Sequence, residues 1–281
     1  MWILAAFLVG LLVGFVVTIL TILWYMVPKL ERLYVFRPSK DVLKTPTKLE
    51  VPFDQCFIET TDGCRLSAWN VRPHHPVASI VYFHGNGGNL GVLVEILGMF
   101  YRHNLQVFAV DYRGYGWSTG NPSEQGIYTD SLATVEYFNA NFRRPGLPVI
   151  YWGRSLGGCA ASYSAGKSPP NGLILETTFP SKAQLLKHFP YMRPFSFFSK
   201  YKLDTLKHIS GHQFPVLVIH GEKDRTIPFE QGRSLYDQLS DPKQFYGVPG
   251  AGHIDIHMLD SEAYMRRVLS FVSDVRPLTV H

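Results

Sequence analysis

The hydrophobic pattern divides the chain into two unlike regions, and the first is an apolar run over residues 2–27 without a charged residue. A helix over this run exceeds the roughly 20 residues that cross the hydrocarbon core of a bilayer. Aromatic residues stand at both ends, with Trp24 and Tyr25 at the second end, as interfacial residues do. Pro28 is expected to stop the helix. The pattern therefore predicts one transmembrane anchor over residues 1–27.

A cleaved signal peptide is the alternative for this run, and it fits poorly. No basic region precedes the apolar stretch, the stretch is long, and no small-x-small cleavage site follows it. The flanking positive charges lie after the run, which predicts a single-pass protein with its main domain in the cytoplasm. These charges make residues 28–50 a juxtamembrane basic linker that is expected to face anionic headgroups. The basic residues are Lys29, Arg32, Arg37, Lys40, Lys44 and Lys48.

From about Val51 the pattern changes to short apolar strands that alternate with amphipathic helices. An Asp62-Gly63 turn separates two alternating runs and predicts an antiparallel hairpin in which Cys56 lies opposite Ser67 or Ala68. Five buried strands are predicted next, over 79–83, 107–110, 149–152, 173–175 and 216–219, with helices over 90–102, 123–139, 156–165, 229–239 and 261–272. This alternation predicts an α/β domain over residues 51–281, with a mostly parallel sheet and helices on both faces.

One stretch, about residues 181–212, interrupts the alternation. It is rich in aromatic and basic residues and lies between two predicted strands. Two interpretations stay open: a small lid insertion that lines an acyl-chain pocket at the carboxyl edge of the sheet, and a helical pair packed without substrate contact.

The composition limits the kinds of partner, disulfide and cofactor that this domain is expected to have. The 281 residues carry a formal net charge of +5, but no Lys/Arg cluster is interleaved with stacking aromatics, so nucleic acid is not an expected partner. Three cysteines cannot form a full disulfide framework, and reduced thiols are expected, with Cys159 in the core. The sequence contains no metal-ligand cluster and no phosphate-binding or dinucleotide glycine motif, which predicts neither a metal nor another cofactor.

The strongest chemical signal is the run Gly153-Arg154-Ser155-Leu156-Gly157, placed between a predicted strand and a helix of small residues. A G-x-S-x-G sequence in that context forms a sharp turn that lifts the serine hydroxyl above the sheet. Ser155 is therefore the predicted nucleophile. The N–H of Leu156, at the start of the helix, is a predicted oxyanion donor.

A serine nucleophile needs a base, and the base needs an acid that orients it. In this fold the acid and the histidine follow the serine in that order, in loops after later strands. Asp224 and His253 occupy such positions and complete the predicted triad. Glu176 is the main rival for the acid and Glu222 a weaker one.

The other histidines are assigned elsewhere. His188, His208 and His212 are expected on the surface or in the lid, His220 in the core, and His257 on the helix after His253.

The second oxyanion donor is expected from a glycine-rich loop after an earlier strand. His84-Gly-Asn-Gly-Gly follows the strand at 79–83, and the N–H of Asn86 is the predicted donor. The run that begins Asp111-Tyr-Arg-Gly-Tyr-Gly is predicted to be a structural loop that borders the site.

Together these runs resemble the membrane-anchored α/β-hydrolase-domain proteins: His84-Gly-Asn-Gly-Gly-Asn, Asp111-Tyr-Arg-Gly-Tyr-Gly-Trp-Ser, Gly153-Arg-Ser-Leu-Gly-Gly, Gly221-Glu-Lys-Asp224 and Gly250-Ala-Gly-His253. The likeness covers about residues 30–275. It implies the α/β-hydrolase fold and hydrolysis of acyl esters or thioesters, since some relatives remove palmitate from proteins and others are lipases or esterases.

The expected substrate is an acylated lipid or protein at the bilayer. A serine peptidase and a catalytically inactive membrane scaffold are the alternatives. The sequence assigns no substrate-binding residues and no oligomeric state.

Overall fold

The computed structural model describes residues 2–275, without the side chains of Met192 and Phe195. Residues 276–281 of the predicted hydrolase domain and Met1 of the predicted anchor lie outside this range. Within it, a long N-terminal helix leads into a sheet that is covered on both faces by helices.

An eight-stranded sheet, counted over the described residues, forms the centre. Its strands are β2 (Phe53–Glu59), β3 (Arg65–Val71), β4 (Ala78–Phe83), β6 (Leu105–Val110), β7 (Val149–Arg154), β8 (Gly172–Glu176), β9 (Val216–Gly221) and β10 (Lys243–Val248). They lie in the order β10-β9-β8-β7-β4-β6-β3-β2. Strands β2 and β3 form an antiparallel hairpin, β3 also runs antiparallel to β6, and the other neighbours are parallel. A separate two-stranded pair joins β1 (Arg37–Pro38) to β5 (Gly87–Gly88).

The helices of the domain follow the predicted alternation. They are α2 (Val94–Arg102, preceded by a 3₁₀ turn over Leu90–Leu93), α3 (Glu124–Asn141), α4 (Gly157–Lys167), α8 (Phe229–Gln238) and α9 (Ser261–Asp274). Strands β4, β6, β8 and β9 are buried along their whole length, as expected for a parallel sheet between two helical layers. Two buried apolar clusters, one on each face of the sheet, form the core.

The hairpin and the cysteines agree with the sequence predictions. Cys56 lies opposite Ala68 in the β2–β3 pair. Cys159 is fully buried in α4. In the described chain the three cysteines, Cys56, Cys64 and Cys159, are free thiols.

The N-terminal helix α1 (Trp2–Val35) is longer than predicted. The prediction that Pro28 ends it is wrong, because Pro28 lies inside the helix. A proline removes one backbone hydrogen bond, but contacts beyond it hold the last two turns against the domain. Glu31 binds Lys182, and Phe36, directly after the helix, is buried. The predicted linker is therefore an ordered part of the domain.

Helix α1 is long and apolar enough to cross a membrane, with a mean hydropathy of 2.9 over an 18-residue window. It buries none of its described residues, and large apolar side chains such as Leu12, Phe15 and Trp24 are exposed along it. This is the surface that a lipid-facing helix presents.

The stretch 181–212 forms short helices over the carboxyl edge of the sheet: α5 (Lys182–Leu185), α6 (Arg193–Ser196) and α7 (Thr205–His208), with 3₁₀ turns over Leu186–His188 and Pro190–Met192. Its second half packs on the domain, with Leu203, Thr205 and Ile209 buried. Its middle part is mostly exposed.

Candidate active site

Ser155 lies at the turn between β7 and α4, with a positive φ of 54°. A non-glycine residue in this region is strained, and such strain persists only where the surroundings fix it. The Ser155 N–H donates to the Glu176 carbonyl at 2.8 Å, and the Thr178 hydroxyl donates to the Ser155 carbonyl at 2.8 Å.

The glycines on either side of Ser155 are required by close packing. A Cβ on Gly153 would lie 2.3 Å from the Gly157 carbonyl oxygen, and one on Gly157 would lie 2.0 Å from the Phe83 carbonyl oxygen. These contacts explain why the turn has the G-x-S-x-G sequence: only glycine lets the helix start this close to the strands.

His253 lies between Ser155 and Asp224. Its Nε2 is 3.2 Å from the Ser155 Oγ, and its Nδ1 is 2.7 Å from the Asp224 Oδ2. The three residues come from loops after β7, β9 and β10, which end at the same edge of the sheet. The structure thus brings together the three side chains that the sequence selects as nucleophile, base and acid.

The environment of Asp224 favours its charged form. Burial acts to raise the pKa of this carboxyl, but the adjacent His220 imidazole, the hydrogen bond to His253 and the Ile227 N–H hold the pKa well below its usual range. The Oδ1 atom accepts the N–H groups of Thr226 and Ile227 at 2.8 and 2.9 Å. Asp224 is therefore a fixed anion that can orient the imidazole of His253 and stabilise its protonated form.

His220 is a second histidine beside Asp224. It is fully buried, as predicted, and its Nε2 lies 3.5 Å from the Asp224 Oδ2 and 2.8 Å from the Ile227 carbonyl oxygen. The shorter distance is the hydrogen bond. The sequence analysis did not predict that His220 lies beside Asp224. Their spacing of four residues, at the end of a strand, could have indicated this contact.

Glu176, the rival for the acid, has different partners. Its Oε2 accepts the Trp152 indole N–H at 3.0 Å and the Tyr264 hydroxyl at 2.7 Å. Its Oε1 lies 3.3 Å from the Nε of Arg154. The structure therefore places Asp224, and not Glu176, against His253.

Arg154 connects this buried cluster to the catalytic loop. Its guanidinium donates to the backbone carbonyls of His253 and Ile254 at 3.2 and 2.9 Å. Glu176 holds Arg154, and Arg154 holds the loop that carries His253. Sequence reasoning missed this role, because Arg154 occupies a variable position of the G-x-S-x-G pattern.

The glycine-rich loop after β4 approaches Ser155, since a Cβ on Gly85 would lie 3.5 Å from the Ser155 Cβ. The loop is held by two tyrosines of the Asp111–Gly116 run. The hydroxyl of Tyr112 donates to the His84 carbonyl at 2.9 Å, and the hydroxyl of Tyr115 donates to the Asn86 carbonyl at 2.8 Å. The run that begins at Asp111 thus borders the site, as predicted, and it also fixes the position of Asn86.

The chain directly after α1 also holds this loop. The Arg37 N–H donates to the Asn86 carbonyl and the Ser39 N–H donates to the Gly88 carbonyl, each at 2.9 Å. The Asn86 side chain in turn donates to the Tyr34 carbonyl at 3.4 Å. The end of the apolar helix and the predicted oxyanion loop are therefore neighbours.

Of three other histidines, His208 and His212 lie in the insertion, as predicted, and only His257 differs from expectation. His212 is buried and stacks on Phe214, and His208 packs against Tyr128 and Tyr163, so neither is a free surface residue. His257 lies in a turn before α9 and not on that helix. Burial lowers the pKa of all three imidazoles. Nearby carboxylates, first Asp204 for His208 and Glu176 for His257, only partly oppose this lowering.

Comparison with known proteins agrees with this fold. Residues 74–196 match the family model described as serine aminopeptidase, S33. The chain is 30% identical over 250 residues to protein bem46 of Schizosaccharomyces pombe, covering 84% of this chain and 82% of that protein. It is 28% identical over 260 residues to the α/β-hydrolase domain-containing protein WAV2 of Arabidopsis thaliana, covering 85% and 84%. An esterase of Pyrococcus furiosus superposes with a TM-score of 0.72 at 17% identity, covering 86% of this chain and 98% of that one.

The sheet order, the strand-to-helix turn at Ser155 and this structural likeness define an α/β-hydrolase fold. The chain belongs to the α/β-hydrolase-domain family that includes bem46, as the resemblance of its motifs predicted.

Proposed function

We propose that this protein is a membrane-anchored serine hydrolase that cleaves acyl esters or thioesters of lipids or acylated proteins. The observation that carries the proposal is the hydrogen-bonded series from Asp224 through His253 to Ser155. A strained serine at the carboxyl edge of the sheet and a charged aspartate behind the histidine are the parts that acyl transfer requires.

In the proposed reaction His253 Nε2 takes the proton from the Ser155 hydroxyl while Oγ attacks the acyl carbon. The N–H groups of Asn86 and Leu156 stabilise the oxygen that becomes negative. As the tetrahedral intermediate collapses, the C–O or C–S bond to the leaving group breaks and His253 returns the proton to that group. Water then attacks the acyl-enzyme in the same way and releases a carboxylic acid.

A membrane substrate is supported by the position of the site. The helix that the sequence and structure favour as a membrane span ends against the loop that carries Asn86. If α1 spans the bilayer, this contact supports a site close to the bilayer surface, where a lipid or lipidated protein could reach it. Residues that select the acyl chain are not assigned.

Peptide hydrolysis is the second candidate, and the observation in its favour is the description of the matching family model. The same nucleophile and base would serve amide cleavage. A panel of acyl esters, acyl thioesters and aminoacyl amides, offered to the full chain in nanodiscs, separates the two. Faster turnover of amides than of esters and thioesters would overturn the ester proposal.

The first test of the mechanism is covalent labelling of the full chain by a fluorophosphonate. We expect wild-type labelling and none in Ser155→Ala, with turnover reduced about 10⁴-fold or more. Ser270→Ala, an exposed serine of α9, is the matched control and should behave as wild type. Labelling that persists in folded Ser155→Ala would show another nucleophile, and folded wild type that does not label would favour an inactive scaffold.

A further inference from the structure

Residues 182–202 of the insertion contact the end of the apolar helix at Glu31. The ammonium of Lys182 contacts the Glu31 carboxylate, and the Ser199 hydroxyl lies 2.8 and 2.7 Å from its two oxygens. The Glu31 and Lys182 side chains are only 12% and 13% exposed. The Glu31 carboxylate of α1 thus binds residues near both ends of the stretch 182–202. We call this stretch the tethered segment.

Tyr201 strengthens the same junction. Its ring packs edge-to-face on Phe36 with the ring centroids 5.6 Å apart. Phe36 is buried, so the contact belongs to the core and not to a loose surface. The position of the tethered segment relative to α1 is therefore fixed at several points.

The depth of this junction follows from helix geometry. Glu31 lies four residues after Val27, the last residue of the apolar run, and four residues of helix rise about 6 Å. The headgroup layer on each side of a bilayer is roughly 5–7 Å thick, the difference between a core of about 30 Å and a total of about 40–45 Å. If α1 crosses the bilayer, Glu31 and the residues bound to it lie within or directly above the headgroups, and helix tilt would only bring them closer.

The composition of the tethered segment suits that depth. Tyr191 and Phe197 are 70% and 78% exposed, a large apolar exposure for a protein surface in water. Lys187, Arg193 and Lys200 are exposed nearby, and residues 182–203 contain no Asp or Glu. Aromatic and basic side chains without acidic ones are typical of segments that lie in the interface of an anionic membrane.

We propose that the tethered segment is a second membrane-binding element, which lies in the headgroup layer beside α1 with Phe197 and Tyr191 directed into the bilayer. Its basic side chains bind the phosphates of anionic lipids. Since the segment follows β8 at the edge of the sheet that carries Ser155, this contact holds the active-site side of the domain against the membrane.

The test measures depth and not activity. Single cysteines are introduced into the full chain at Phe197, at Leu12 in α1, and at Arg143, an exposed residue between α3 and β7 at the opposite edge of the sheet. Each variant is labelled with an environment-sensitive fluorophore and reconstituted in vesicles that contain anionic lipid and nitroxide-labelled lipids. The parent chain, with its native cysteines, gives the background.

We expect headgroup-level nitroxides to quench the label at Phe197→Cys at least threefold more than the label at Arg143→Cys, and deep nitroxides to quench Leu12→Cys. A label at position 197 that is quenched no more than the one at position 143, while Leu12→Cys is quenched, would overturn the proposal and leave α1 and the catalytic assignment intact. Unquenched Leu12→Cys would overturn it as well, because α1 would not span. A surface meant for a protein partner would give the first of these outcomes.

Discussion

At the residue scale, two buried carboxylates near His253 have separate tasks because their partners differ. Asp224 accepts backbone N–H groups and faces the imidazole. Glu176 faces Arg154 and two neutral donors in a fully buried cluster. The first arrangement could stabilise the positive charge that the proposed reaction creates on His253, and the second compensates a charge that is always present on Arg154.

We therefore expect Asp224→Asn and Glu176→Gln to fail in different ways. Asp224→Asn should lower kcat by roughly 10⁴-fold with little loss of stability, since an amide holds the wrong imidazole tautomer and cannot stabilise the imidazolium. Glu176→Gln should lower kcat much less but destabilise the fold by about 3–5 kcal/mol, because Arg154 is left as a buried charge without a counter-ion. Steady-state kinetics and denaturant unfolding of both variants measure this contrast.

The opposite ranking of kcat would show that the acid is misassigned, while Ser155 and His253 would keep their proposed roles. A neutral effect of Glu176→Gln on unfolding would instead mean that Arg154 finds another partner.

At the element scale, the short pairing of β1 with β5 joins the chain after α1 to the loop that carries Asn86. Its two hydrogen bonds, from Arg37 and Ser39, act together with the Tyr115 hydroxyl on the same loop. A loop that must present a backbone N–H to an oxyanion has to be held within a few tenths of an ångström. We therefore expect this pairing to help position Asn86, although β1 lies outside the predicted hydrolase domain.

Removing one of these hydrogen bonds tests that role. Ser39→Pro deletes the N–H that binds the Gly88 carbonyl. We expect it to reduce kcat about 10-fold or more with a smaller change in KM, since a displaced donor weakens transition-state stabilisation above all. Ser39→Ala keeps the N–H and should match wild type in the same assay. If both variants had wild-type kcat, the pairing would have no part in positioning Asn86.

At the scale of the whole molecule, the apolar helix and the folded domain meet only near the end of α1. The helix buries none of its described residues, whereas Phe36 directly after it is in the core. The boundary between the candidate membrane span and the folded domain therefore falls between about residues 27 and 31, inside one continuous helix.

Deleting residues 1–27 should convert the protein to a peripheral one. We expect it to leave the membrane fraction in high salt, because the remaining basic and aromatic contacts are weak and are screened at ionic strengths where the Debye length is about 3 Å. Turnover of a small water-soluble ester should stay within about twofold of the full chain, since the triad and the β1–β5 pairing are retained. Sedimentation of vesicles with and without salt measures the first part. Retention in the pellet at high salt would mean that α1 is not the sole anchor.

Local patterns in the sequence determined much of this protein. Each of three features depends only on residues that are neighbours in the sequence: the apolar run, the alternation of strands and helices, and the turn at Ser155. Short stretches of sequence were therefore enough to predict them. Because the carboxyl ends of parallel strands share one edge, strand order in the sequence was also enough to select Asp224 and His253.

Contacts between distant parts of the chain could not be found in this way. That Glu176 compensates Arg154 and that α1 continues past Pro28 depend on side chains that meet only after folding. The bond from Glu31 to Lys182 joins residues 151 positions apart, and no local pattern encodes it. The tertiary structure decided these points because burial and charge compensation act through space, whereas periodicity and turn signals act along the chain.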